Sequence, residues 1–393
     1  MIDFIKIFGI VLIPILILLY LLKSLFMKKE SINLKIESKT PRIAFLLPAR
    51  NEKKVIGDLL DSINKQTYKI DMKNVFVIVQ DKKDKTGNIA KKYGVTVLYR
   101  TTDIKTKGKA LDDGIKQILK KQHFDLYYIF DADNVLDKDF VKNSLNSYYL
   151  GYDLALGYRN TKNGNENVVA GASSLIFSLV NTIINKRRKK NNKNLVISGT
   201  GFFIKGKWID KWQGYPFQTL TEDYEISLYA SQNGLTTDYV ENAIFYDEQP
   251  TSYKQTVVQR KRWIKGYFDS TKLYLKNNKG KGLINVFPII AMLCIIISYI
   301  ILEFIILCIN KKVILALGIL FTIIIFIYML LSIITIYILC REKGKININK
   351  KMGIKLAFYH PIFLFGYVEC AILLLFNRNV EWNKIEHKAK MKK

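Results

Sequence analysis

The sequence predicts an α/β domain on a parallel sheet covered on both faces, joined to α-helical membrane-spanning segments. Two observations predict it. Between residues 42 and 130, apolar runs of strand length alternate with amphipathic helical patterns, and the runs end in polar or acidic residues. Outside the middle of the chain, the apolar residues collect into stretches of about 20 or more, the length that crosses a bilayer core. Buried strands alternating with helices need helices on both faces of the sheet, and ligands then bind outside the carboxyl ends of the strands.

The first strand is expected at Arg42 to Pro48, followed by Ala49-Arg50-Asn51-Glu52 and a helical pattern through Val55, Leu59, Leu60 and Ile63. The second is Val75 to Val79, ending in Gln80-Asp81. A helix from Thr86 to Lys92 leads to a third at Val95 to Leu98, and a fourth, Leu126 to Phe130, runs into Asp131-Ala132-Asp133. Asn51, Glu52, Asp81, Asp131 and Asp133 therefore converge on one edge of the sheet.

Of 393 residues, 49% are hydrophobic, and they are concentrated toward the two ends of the chain. The polar stretch from about 27 to 282 is long enough for a full core, which excludes disorder, collagen-like chains and small disulfide scaffolds. Residues 4–26, 283–309 and 313–340 read as membrane spans. A fourth stretch, 356–376, carries His360, Pro361, Gly366 and Glu369, so it is expected to be re-entrant or packed inside a bundle. The resulting organisation is an anchor at 1–27, a cytosolic domain at 28–254, interface helices at 255–282, a membrane region at 283–376 and a basic tail at 377–393. Basic loops stay on the cytoplasmic side, so Lys23, Lys28 and Lys29 and the loop Arg341 to Lys355 place the middle region in the cytoplasm of a multi-pass protein of the cell membrane.

Lys and Arg number 61 against 33 Asp and Glu, a formal charge of +28. No nucleic-acid motif or internal repeat accompanies this charge, and the partner it suggests is anionic lipid, at about 1 kcal/mol per juxtamembrane cation. The run Lys186 to Lys190 is expected to be a solvated basic face. All four cysteines lie in hydrophobic segments and the three histidines are widely spaced, which excludes a disulfide framework and a Cys or His metal centre in the middle region.

Several short patterns carry possible chemistry, each with a plainer alternative. Asp131-Ala132-Asp133 suits a hard divalent cation, Mg²⁺ or Mn²⁺, or is a surface turn or helix cap. Lys107-Gly108-Lys109 offers cations to phosphate, or is a solvated loop. Asp84 reads as the N-cap of the helix that follows it. In Ser198-Gly199-Thr200-Gly201, small residues let a substrate approach the backbone, or form a tight turn. Glu222-Asp223 is a candidate general base, or an acidic first turn favoured by the helix dipole. Gln259 to Trp263 is a binding element, or a basic interface helix with Trp at headgroup level. Glu303 and Glu369 border a translocation path, or are carboxyls hydrogen-bonded to Ser or Tyr.

Taken together and in this order, these motifs resemble the membrane-embedded family 2 glycosyltransferases, the group of cellulose, chitin, hyaluronan and poly-N-acetylglucosamine synthases. The resemblance covers residues 42 to 270 and implies a GT-A nucleotide-sugar domain, which refines the expected sheet to a mostly parallel mixed one. It implies a donor site of Pro48, Ala49, Glu52, Asp81, Lys107, Lys109, Asp131 and Arg262, and a cation, Mg²⁺ or Mn²⁺, on Asp133 and Asp131. It implies Asp223 as catalytic base with Glu222 beside it, and an acceptor site of Gly199, Thr200, Gly201, Gln259 and Trp263. The implied activity is inverting transfer from a UDP-sugar to a growing β-linked polysaccharide; alternatives are one transfer to a lipid and a non-catalytic scaffold. The implied partners are the UDP-sugar, a polysaccharide or lipid-linked acceptor, membrane lipids, and a second copy or an export subunit. The chain departs from the pattern in having Gln80 before the first aspartate, and one anchor where several synthases carry two.

Overall fold

The computed structural model describes residues 34–102, 106–277, 309, 313–376 and 380. The expected spans at 4–26 and 283–309 lie outside the described residues except for Ile309. Glu303 and all of the tail but Val380 lie outside them too.

Eight strands form one sheet in the order β3-β2-β1-β4-β7-β6-β8-β5. They are β1 (Ile43–Pro48), β2 (Val75–Val79), β3 (Thr96–Tyr99), β4 (Leu126–Ile129), β5 (Val135–Leu136), β6 (Leu154–Thr161), β7 (Phe202–Lys205) and β8 (Thr237–Asp247). The first four pair in parallel, with Pro48 opposite Ile78 and Leu46 opposite Ile129. This register brings the carboxyl ends of β1, β2 and β4 to one edge, where Ala49, Asp81 and Asp131 emerge. The strand β7 then enters antiparallel to both β4 and β6, so the sheet is mixed beyond β4.

Alternation along the strands builds two cores. Phe45, Leu47, Val75, Val77 and Val79 face α1 (Ile56–Asn64) and α4 (Phe140–Tyr149), which contribute Leu59, Leu60, Ile63, Val141 and Leu145. Ala44, Leu46, Phe76 and Ile78 face the other way, onto Ala110, Leu111, Ile115 and Ile118 of α3 (Lys107–Leu119). Each fully buried Leu, Ile or Phe contributes roughly 1.5–3 kcal/mol relative to an exposed one, so both faces are strongly specified. The expected N-cap is present: the Asp84 carboxylate accepts from the Thr86 N–H at 2.9 Å and opens α2 (Lys85–Lys91).

A long apolar helix that sequence reasoning did not single out follows β6. It runs as α5 (Val168–Leu179), a π-helical stretch Val180–Asn185, and α6 (Lys186–Lys190). Its apolar face, with Ala172 and Leu175, packs against Ile338 of α10 (Val313–Arg341) and Met352, Leu356 and Phe363 of α11 (Lys350–Phe376). Its polar face turns to the sheet, where the Asn181 amide donates to the Arg159 carbonyl at 2.9 Å. The run Lys186 to Lys190 is therefore not simply a solvated face: Lys186 pairs with Glu241 at 2.9 Å and Lys189 with Asp238 at 2.8 Å, both on β8. The loop between α10 and α11 also docks on the α/β domain. Glu342, buried, accepts from the hydroxyls of Tyr158 and Thr182, and Asn347 and Asn160 bond across the junction.

Among the described residues, three helices are long and apolar enough to cross a membrane by length and composition: Val168–Lys190, Ile324–Arg341 and Lys350–Phe376. The second and third leave apolar side chains in the open, Phe326 at 67% and Phe376 at 86% exposure. Pro361 sits inside α11 without ending it, so the stretch 356–376 belongs to one helix that packs by one face. On that face the Glu369 carboxylate accepts from the Tyr253 hydroxyl at 2.5 Å, the hydrogen-bonded alternative to a path-lining acid.

Candidate active site

Two further helices bring the remaining motifs to the sheet edge, α8 (Glu222–Asn233) and α9 (Tyr253–Asn277); α7 (Gly206–Trp212) follows β7. Their approach depends on glycines. A Cβ on Gly108 would lie 1.9 Å from the Phe217 carbonyl oxygen, so only glycine lets the start of α3 press against the segment leading into α8. A Cβ on Gly266 would meet Thr221 at 2.7 Å, which brings α9 against the head of α8. These contacts bring Lys107 and Arg262 close enough to act on Glu222 and Asp223.

Lys107 is the centre of the cluster. Its Nζ lies 2.5 Å from Asp131 Oδ1 and 3.7 Å from Glu222 Oε1, and donates to the Gly199 carbonyl at 2.6 Å. Burial disfavours its charge, but Asp131, Glu222 and Asp223 outweigh that cost and hold the amine above its ordinary pKa. The backbone of Asp131 is fixed as well, donating to Thr200 Oγ1 at 2.9 Å and Asn134 Oδ1 at 3.2 Å. Gly199 has φ +83°, and its Cα faces the Asp223 carboxylate: an added Cβ would lie 3.3 Å from Oδ2. Gly201, φ +74°, stands where a Cβ would collide with the Phe245 ring at 2.1 Å. The Ser198–Gly201 turn thus forms one wall of the cleft.

The two acids of α8 are not equivalent. Glu222 is 5% exposed and turned to Lys107, whereas Asp223 is half-buried and accepts the Tyr224 N–H at 2.8 Å. Burial raises both carboxyls, against the pull of Lys107 and Arg262; Glu222 is pushed up to about 7, Asp223 adding to the rise. Because both carboxyls are raised, the acidic limb of a pH–rate profile of kcat/KM is expected above the ordinary carboxylate range. Replacing Arg262 by Met removes a charge that lowers both groups, so the limb should move to higher pH. A limb that stays near pH 4 in the wild-type protein, or shifts downward in Arg262→Met, contradicts this electrostatic account.

Asp133 is buried, accepting the Asn134 amide at 3.3 Å and the Glu248 N–H at 3.2 Å. Burial pushes neighbouring Asp247 up to about 6 against its ion pair with Arg159, and the charge on Asp133 adds to the rise. Two buried carboxylates, Asp133 and Asp247, beside Asp131-Ala132-Asp133 fit a hard divalent cation with oxygen ligands. Among the described residues no group of three or more His, Cys, Asp or Glu is arranged as a ready-made cage.

The other expected residues lie around this cluster or apart from it. Ala49 donates to the Ile78 carbonyl at 2.9 Å, which holds the end of β1 beside Pro48, and the Glu52 N–H donates to Thr86 Oγ1 at 2.8 Å. Asp81 is exposed at the end of β2 and accepts from the N–H groups of Lys83 and Asp84. Lys109, two residues beyond Lys107 on α3, points away and is exposed. On α9, Arg262 Nη1 approaches the Leu220 carbonyl at 3.4 Å, and Trp263 meets Phe177 of α5 edge to face at 5.9 Å. Gln259 is half-buried on the same helix, and no hydrogen bond connects it to Lys107 or Asp223. Asn134, Arg159, Phe177 and Asp247 are contributors that sequence reasoning missed. Only Asn134 and Asp247 carry a signal, as polar residues just after the Asp-x-Asp and at the end of a strand.

Comparison with known proteins agrees with this architecture. The family model described as glycosyltransferase like family 2 matches residues 41–266. The chain is 25% identical to the probable glycosyltransferase YdaM of Bacillus subtilis over 241 residues, 58% of this chain and 55% of that protein. It is 24% identical to the beta-monoglucosyldiacylglycerol synthase of Nostoc over 254 residues, 62% of this chain and 54% of the relative. The chain thus spans about half the length of these relatives. In fold it is similar to the mannosyltransferase PcManGT of Pyrobaculum calidifontis, solved with GDP-Man and Mn²⁺, at TM-score 0.52 and 13% identity over 92% of this chain and 95% of that one.

Proposed function

Because the chain belongs to glycosyltransferase family 2, an α/β family of GT-A-like fold that transfers sugars from nucleotide donors, we propose that it is an inverting, metal-dependent enzyme using a UDP-sugar at the membrane surface. The product we favour is a β-linked polysaccharide. The observation that carries the reading is the half-buried Asp223 carboxylate facing Gly199, whose carbonyl accepts from the Lys107 amine that pairs with Asp131.

In this reading the acceptor hydroxyl loses its proton to Asp223 as its oxygen attacks the anomeric carbon. The bond from that carbon to the diphosphate oxygen breaks on the opposite face, so an α-linked donor gives a β-linked product. Lys107 and Arg262 lie where charge grows on the departing diphosphate, and fixed cations in a buried cleft stabilise it without reorganising. Asp131 and Asp133 would hold Mg²⁺ or Mn²⁺, which when bound neutralises the diphosphate charge. Glu222 keeps Lys107 in place. Trp263 offers a flat apolar face to a pyranose, and Gly199, Thr200 and Gly201 would let the acceptor approach the backbone beside Asp223.

The exposed apolar faces of α10 and α11 favour a bilayer as their environment, since a patch this large is costly in water. The loop after α10 docks on the α/β domain, so that loop and the cleft share one side of the membrane, taken as the cytoplasmic side from the basic loops. A second reading, a single transfer to a lipid, is favoured by the beta-monoglucosyldiacylglycerol synthase relative. The test is nucleotide release by the full chain in detergent–lipid micelles over a panel of UDP-sugars and GDP-mannose, with Mg²⁺ or Mn²⁺. High-molecular-weight product from one UDP-sugar supports polysaccharide synthesis. A small lipid-soluble product selects the second reading, and release from GDP-mannose alone overturns the UDP assignment.

A further inference from the structure

One half-buried side chain outside the expected motifs touches three separate segments at once. Arg159 projects from β6 with its side chain 13% exposed. Its Nε donates to Asp247 Oδ2 at 2.7 Å, its Nη2 reaches the same oxygen, and its Nη1 donates to the Ser198 carbonyl at 2.7 Å. The guanidinium plane lies 3.6 Å from the centre of the Phe177 ring, and Phe177 in turn supports Trp263. Ser198 immediately precedes Gly199, the residue whose carbonyl Lys107 holds and whose Cα faces Asp223.

We propose that Arg159 is a positioning residue for acceptor transfer, setting the Ser198–Gly201 wall beside Asp223 and the Trp263 surface by one shared clamp. The inference rests on the acceptor reading of Trp263 given above. A planar guanidinium is required because it forms hydrogen bonds along its edge while stacking by its face; a lysine ammonium keeps the charge and loses the plane. Misplacing an acceptor by about 1 Å can cost on the order of 100-fold in rate. A residue that only stabilised the fold would lower every activity of the protein together. A clamp on the acceptor seat instead separates sugar transfer from the release of donor nucleotide to water.

The experiment is a double-mutant cycle on the full chain with Arg159→Met, Trp263→Phe and the pair, measuring sugar transfer and nucleotide release in parallel. Arg159→Met is expected to lower kcat for transfer about 30- to 100-fold, with donor KM within about 3-fold and a larger share of nucleotide release lost to hydrolysis. In the Trp263→Phe background the same change should cost less than about 3-fold, because the surface it positions is already altered. Multiplicative losses, or equal falls in transfer and hydrolysis, overturn the proposal. Should Arg159→Met fail to fold, Arg159→Lys and Phe177→Leu replace it in the same cycle with the same criteria. Wild-type protein inactive toward every donor would instead defeat the glycosyl-transfer reading itself, a result distinct from an additive cycle.

Discussion

Asp223→Asn is expected to lower kcat for sugar transfer by about 10²- to 10⁴-fold while leaving nucleotide affinity within a few-fold, the range for losing a positioned general base. The amide is the same shape, and its oxygen can still accept the Tyr224 N–H that Asp223 accepts at 2.8 Å. What disappears is the basic oxygen, Oδ2, that faces the Gly199 backbone. Glu222→Gln should do less damage to the proton transfer and more to donor binding, because Glu222 is turned to Lys107 at 3.7 Å. Steady-state transfer rates and equilibrium binding of the nucleotide separate the two. If Asp223→Asn keeps more than a tenth of wild-type transfer, the base lies elsewhere, and Glu222, raised toward neutrality by burial, becomes the first candidate.

The second large effect is expected at Asp133. Asp133→Asn, or removal of divalent cations with EDTA, should reduce kcat/KM by roughly 10²- to 10³-fold, the scale of losing one preorganised electrostatic contact to developing charge. Asp131→Asn should be harmful for a different reason: it leaves the buried Lys107 ammonium without its partner at 2.5 Å. Binding of Mn²⁺, followed by loss of the free-ion electron paramagnetic resonance signal, gives a readout independent of turnover. Wild-type protein should deplete that signal and Asp133→Asn should not. Equal depletion by both proteins would place the cation away from the Asp-x-Asp.

Much of the α/β framework was legible because strand and helix carry different periods and the first four strands are short, apolar and ended by polar residues. Arg42 to Pro48, Val75 to Val79 and Leu126 to Phe130 each predicted a strand within one residue of its observed ends. The Asp84 cap was equally legible, since an aspartate two residues before a helical Thr satisfies an orphan N–H by local geometry. The helix Val168–Lys190 was not. Its apolar residues are interrupted by Ser, Asn and Thr, and only the packed structure reveals that these polar groups face the sheet while the apolar face meets α10 and α11.

For the site, the sequence by itself determined which residue types are available: acids at strand ends, Lys107 at a helix start, Glu222 and Asp223 in a first turn, and Arg262 and Trp263 on one helix. These follow from local patterns, because periodicity and capping act over a few residues. The tertiary structure alone decided which of them meet. It turned Lys107 inward and Lys109 outward, set Glu222 against the lysine and Asp223 toward the cleft, and carried Lys186 and Lys189 to acids on β8. It also brought Arg159, Asp247 and Phe177 together from three separate segments. Contacts between residues many positions apart depend on how close two backbones can come, as Gly108 against Phe217 and Gly266 against Thr221 demonstrate. That distance is a property of the assembled chain, which no local pattern encodes.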